Sequence, residues 1–144
     1  MRLAILLLLG AAGFAQTLDK ETPFLVKLSD PIGARASKPG QRVGAVIISP
    51  ERFLGGRFTG EVKAVSSNAR GGRVEIAFHA LEFKGKSIAV RTVTTEFVNS
   101  IGHPSVDEQE RPVKVEAGVF VSSHPDMLID EGAELKLSAT PVQP

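Results

Sequence analysis

From Arg73 to Ala80 the chain alternates residue by residue. Val74, Ile76, Phe78 and Ala80 fall on one side of an extended backbone, and Arg73, Glu75, Ala77 and His79 on the other. A side-chain period of two belongs to the β-strand, so this stretch is committed to a sheet with one covered face and one wet face. The phase then slips, and Leu81 and Phe83 carry the apolar side. One extra residue near Ala80–Leu81, a β-bulge, accounts for the slip and bends the strand. Lys84–Gly85 reads as a two-residue hairpin turn in which glycine takes a positive φ. That turn pairs Phe83 with Lys86 and Leu81 with Ile88. With the bulge it sets Phe78 opposite Val90 and Ile76 opposite Thr92; without it Phe78 meets Arg91, a worse pair. The register therefore argues for the bulge independently of the phase slip. Bulged, strongly bent strands are those of small closed or nearly closed barrels.

The same reading extends along the chain. Phe24–Leu28 is β-prone and stops at Ser29-Asp30-Pro31, because proline has no N–H for a ladder. Lys38-Pro39-Gly40-Gln41 is a turn. Val43, Ala45 and Ile47 follow, alternating with Gly44, Val46 and Ile48, and this second set is apolar enough to suggest a strand covered on both faces. Phe58, Gly60, Val62 and Ala64 share one face of the next strand, with Thr59, Glu61 and Lys63 on the other. From Asn99 to Arg111 the alternation disappears into a polar excursion. It resumes at Val113, Val115 and Val119–Val121, and again at Leu135, Leu137 and Ala139. No long stretch of helical period follows residue 15. The expected fold is all-β: a small, mostly antiparallel barrel or sandwich of six to eight strands, in a single domain over residues 16–144 with a polar excursion at 99–111.

Residues 1–15 read as a signal peptide. Met1-Arg2 is a short positive start, Leu3–Ala12 is apolar, and small residues lead to Ala15, with Gly13 and Ala15 at the −3 and −1 positions of a cleavage site. The apolar run falls well short of the ~20 residues that span a bilayer, and no later stretch is long enough either. Cleavage removes Arg2 and no acid, leaving sixteen basic and sixteen acidic side chains and no net charge to steer a partner. With no cysteine in the chain, disulfides, thiol catalysis, cysteine-ligated zinc and a lipid-anchored cysteine are excluded. The balanced charge and lack of a basic run exclude nucleic acid as an expected partner. The expected location is periplasmic or extracellular.

Candidate chemistry is sparse. His79 lies on the wet side of a strand, and His103 and His124 each precede proline in a loop. Asp107, Glu108 and Asp126 are near the last two in sequence, but no spacing places two ligands on one element, so no metal site is expected. Glu75 and Glu82, and the run Asp107–Glu110, are acid pairs of the kind glycosidases use, yet the chain has no Trp or Tyr for a sugar platform. Ser66-Ser67 and Ser122-Ser123 lack a nucleophile elbow or a local base. Asn68–Arg73 could cradle an anion with its backbone and two arginines, or be a plain hairpin loop. Arg70, Arg73, Glu75 and His79 are the candidate ligand or partner residues. No catalytic or cofactor-binding residue is assigned, and no cofactor is expected.

The order of landmarks resembles a family of exported bacterial β-domains and is similar to the C-terminal barrel of the TrbI-type proteins of conjugation and type IV secretion channels. The matching elements are the opening strand Glu21–Leu28, the Pro-Gly-x-x-Val of Pro39–Val43, the Gly-x-x-x-x-Gly-x-Val of Gly55–Val62, the turn Arg70–Arg73 running into Val74–Phe83, the Gly85-Lys86 hairpin, and the closing Glu131–Leu135. They span roughly residues 21–140. Leu54 stands where the family has proline, and the channel proteins carry a cytoplasmic part and a membrane helix where this chain has a signal. The resemblance implies a fold and a compartment; it supplies no functional residue and no channel role.

The expectation is a non-enzymatic envelope β-domain that works by contact with another envelope protein or by self-association, through open sheet edges and two-faced apolar strands such as Val43–Ile48. The alternative is a small-ligand or saccharide-binding barrel, or a hydrolase, with a pocket lined by Arg70, Arg73, Glu75 and His79.

Overall fold

The computed structural model describes Leu18 and residues 20–99 and 113–142. The expected signal peptide (residues 1–15) and the polar excursion, apart from Asn99 at the end of a strand, lie outside the described residues. The elements are β1 (Thr22–Leu28), β2 (Ile32–Gly33), β3 (Arg42–Ser49), a 3-10 turn (Glu51–Phe53), β4 (Arg57–Asn68), β5 (Gly71–Phe83), β6 (Lys86–Asn99), β7 (Lys114–Glu116), β8 (Val119–Ser122), β9 (Leu128–Ile129) and β10 (Glu134–Pro141). The fold is all-β, as its alternation demands, and every strand pairing is antiparallel. Among the described residues no helix is long and apolar enough to cross a membrane.

The main sheet runs β4-β3-β1-β10-β6-β5-β8-β7, and β4 also pairs with β5. That pairing closes a ring of six strands, β1, β3, β4, β5, β6 and β10, each beside the next in chain order, with the last returning to the first. It is an up-and-down barrel, which removes the strand edges that an open sheet exposes. Val43–Ile48, expected to pair with partners as a two-faced apolar strand, has no edge free to do so: β1 and β4 occupy both sides of β3. Nor is β3 covered on both faces. Val43, Ala45 and Ile47 are buried, but Val46 is 39% exposed, because no described residue packs on the outside of the ring there.

A tight ring needs sharp bends, and bulges supply them. Thr59 pairs with Ala80 and Gly60 with Phe78, leaving His79 as the extra residue, close to the bulge that the phase slip predicts. Gly60 stands opposite it, where a Cβ would lie 2.0 Å from the Ala77 carbonyl oxygen. Lys63 is a second extra residue, between the pairs Val62–Ile76 and Ala64–Glu75. This corrects the expected face of β4: the Lys63 bulge turns Ala64 out to solvent and carries Val65 to the core. Lys84 (φ 49°) and Gly85 (φ 79°) form the predicted turn, with Phe83 opposite Lys86 and Leu81 opposite Ile88.

Above Ala80–Ala89 the β5–β6 ladder stops. The expected pairs Phe78–Val90 and Ile76–Thr92 do not form, because the bulge turns β5 away from β6. The upper half of β5 pairs with β8 instead, Gly72 with Ser122 through Glu75 with Val119. β7 and β8 thus form a hairpin branching from the ring, with Phe120 packed edge-on to Phe97 of β6 at 6.4 Å.

The interior is mostly apolar; among the described residues Thr22, Ser37 and Thr94 are its buried polar side chains. Phe24, Phe58 and Phe78 are in contact, with ring centroids 5.0 and 5.8 Å apart. At one end the 3-10 turn drives Phe53 into the core against Phe24 and Phe83. At the other, β2 and β9 pair as a lid that buries Ile32, Ala34, Met127 and Ile129. Among the described residues no buried side-chain polar atom lacks a partner.

Candidate functional site

The branch β5–β8–β7 brings together side chains that are far apart in the chain. Arg73 pairs with Val121, and Val121 pairs with Lys114. Directly opposed residues share a face, so Arg73, Val121 and Lys114 make one row across the strands, with Ser66 of β4 extending it. Two positions along, Glu75, Val119 and Glu116 make the next row on the same face, extended by Ala64. The row between them, Val74, Phe120 and Val115, points inward. The outer face of the branch is therefore a basic row and an acidic row roughly 7 Å apart, the repeat of two residues in a strand. Half-buried Val121 and Val119 lie in the middle of each row.

A concavity of about 510 Å³ opens at the basic end of this face, lined by Arg70, Arg73, Lys114, Glu116, Ser122 and Asn68 among others. The Arg70 N–H donates to Asn68 Oδ1 at 2.7 Å, fixing the short turn between β4 and β5. None of the ion pairs among the described residues involves Arg70, Arg73 or Lys114. Two guanidinium groups and an ammonium left to solvent can meet a carboxylate or another oxyanion, guanidinium in the bidentate manner.

Of the four sequence candidates, Arg70 and Arg73 line this concavity, and Glu75 lies on the same face one row away. His79 does not join them. The bulge places it in a second concavity of about 650 Å³ on the outside of β3, β4 and β5, with Asp30, Arg42, Arg57, Glu61 and Glu82. The single pocket expected from these four residues is thus divided between two sites. Lys114, Glu116, Val119 and Val121 were not among the candidates; their alternation was visible, but which strand they would lie beside was not.

The remaining polar candidates have structural duties. Ser67 donates to the Pro125 carbonyl at 2.8 Å and accepts from Arg35 Nε at 3.1 Å. His124 Nδ1 accepts the Asp126 N–H at 2.9 Å, and the Asp126 carboxylate meets Arg35 at 2.6 Å. Ser122 Oγ accepts the His124 N–H. Glu75 and Glu82 lie seven residues apart on one strand, roughly 20 Å at ~3.3 Å per residue. That is too far for the paired carboxylates of a glycosidase, which stand within ~10 Å. Among the described residues no group of three or more His, Asp or Glu is placed to hold a metal ion.

Comparison with protein-family models, with curated proteins and with solved structures gives no match.

Proposed function

We propose that this chain is an exported, non-enzymatic envelope β-domain that works by contact, and that the outer face of the β5–β8–β7 branch is where contact is made. The observation that carries the reading is the row structure of that face. Charges of both signs are sorted into separate rows around two valines, on a hairpin that the six-stranded ring does not need for closure. Sorted charge around an apolar centre is the anatomy of a recognition surface. Export is supported by the leader-like residues 1–15. The similarity to TrbI-type barrels belongs to the same proposal and supports compartment and fold, with no channel role implied.

A photoreactive amino acid at Val121, with a control at Lys136 on β10 across the ring, tests the reading in the exporting cell. A discrete protein adduct from position 121 and none from 136 is the expected result. Equal labelling at both positions, or none at either, overturns it. The small-ligand alternative is favoured by one feature, the 510 Å³ concavity, whose size is that of ordinary ligand sites. A thermal-shift screen with envelope sugars and acidic peptides separates the two: a saturable rise in melting temperature abolished by Arg73→Ala supports the ligand reading.

A further inference from the structure

The two charged rows have a property that neither has alone. A twofold axis lying in the plane of the face, along the inward row Val74–Phe120–Val115, exchanges the basic row with the acidic one. Laid on itself about this axis, the face sets Arg73 against Glu75 of the second copy, Lys114 against Glu116, and Val121 against Val119. Each reciprocal contact is repeated, as an isologous interface requires. On these grounds we propose that the outer face of β5–β8–β7 pairs with the same face of a second copy of this chain. This rests on the contact reading above and deepens it by naming the partner.

Three further observations fit. Arg73 and Lys114 have no ion-pair partner among the described residues. The concavity at the basic end gives the long side chains of the second copy space to enter. Val93 of β6, 51% exposed, adds an apolar side chain beside the β7–β8 turn, where a Cβ on Gly118 would lie 3.5 Å from its Cγ1. Three strands and two rows make a small contact, below the ~800 Å² per partner of stable complexes. The pairing is therefore weak and concentration-dependent, suited to a protein crowded or tethered beside its own kind. Oppositely charged exposed rows are screened within a Debye length of about 8 Å at physiological salt, so the association weakens as salt rises.

Sedimentation of the exported protein over a concentration series, at low and high salt, reads the dimer directly. Arg73→Glu with Lys114→Glu leaves the face wholly acidic, and Glu75→Arg with Glu116→Lys leaves it wholly basic. Each double variant alone is expected to dimerise at least tenfold more weakly than the parent. An equimolar mixture of the two is expected to recover association, tighter than the parent and steeper in salt. Circular dichroism monitors folding, and the neutral pair Arg73→Gln with Lys114→Gln replaces any variant that fails to fold. A parent that stays monomeric to millimolar concentration overturns the proposal, as do reversals that leave the dimer intact or a mixture that does not recover it. A monomer that still gives a Val121 adduct with a different protein overturns only the self-pairing and leaves the contact reading standing.

Discussion

The hydroxyl of Thr92 makes both backbone hydrogen bonds that Phe78 loses to the bulge. It accepts the Phe78 N–H at 2.9 Å and donates to the Phe78 carbonyl at 3.0 Å. Side chain stands in for backbone where β5 leaves β6, so the seam stays shut although the ladder has ended. Thr92→Val keeps the shape and removes the hydroxyl, leaving a donor and an acceptor half-buried and unpaired. An unmade buried bond costs ~1–3 kcal/mol, so the variant is expected to lose about 2–3 kcal/mol in urea unfolding with an unchanged slope. Thr92→Ser keeps the hydroxyl and is expected to recover more than half of that. Equal losses for Val and Ser would refute the bridging role.

Gly60 and Gly85 test two different demands on glycine. At Gly60 a Cβ would stand 2.0 Å from Ala77 O and 2.5 Å from Phe78 Cα, both backbone atoms that cannot yield without undoing the His79 bulge. At Gly85 a Cβ meets nothing within 4 Å, and only the φ of 79° resists it. Gly85→Ala is expected to cost about 1–2 kcal/mol, the ordinary penalty of a left-handed residue. Gly60→Ala is expected to exceed that in a thermal melt, or to abolish the folded state altogether. The reverse order would show that the bulge is not required.

Phe53 is fully buried, with ring centroids 5.6 Å from Phe24 and 5.5 Å from Phe83. It closes one end of the barrel from a turn, not from a strand. Phe53→Ala is expected to cost about 3–5 kcal/mol, and Phe53→Leu less than half of that, by denaturant unfolding.

The shortest ion pair among the described residues is expected to matter little. Arg35 and Asp126 approach to 2.6 Å, but their side chains are 61% and 56% exposed. Exposed pairs contribute ~0–1 kcal/mol, so Asp126→Asn is expected to shift stability by less than about 0.5 kcal/mol. Ser67→Ala removes the part-buried bond to the Pro125 carbonyl and is expected to cost more, about 1 kcal/mol.

Export is tested at the N-terminus. The leader-like pattern predicts a mature chain beginning at Gln16. Intact mass of the protein recovered from an exporting bacterium measures this directly; a product retaining Met1 to Ala15 would remove the basis for an envelope location.

Local pattern determined a good deal. The alternation in Val74–Phe78, the slip at Leu81 and the Lys84–Gly85 turn specify a bulged hairpin with the register Phe83–Lys86 and Leu81–Ile88, because a strand's two faces and a short turn's geometry are fixed by neighbours in the chain. The same logic placed Arg70 and Arg73 at one turn. Which strand lies beside which is set by contacts between distant parts of the chain. Closure by β1 on β10, the departure of β5 from β6, and the arrival of β8 on Arg73 and Glu75 depend on pairings between residues distant in sequence. Their energy comes from burying a shared interior and filling ladders, which a single strand's pattern does not encode. The opposed basic and acidic rows follow from that choice. Arg73 and Glu75 have their alternation from the sequence, but they share rows with Val121, Lys114, Val119 and Glu116 because beyond the bulge at His79 the β5–β6 ladder ends and β8 pairs with β5 instead.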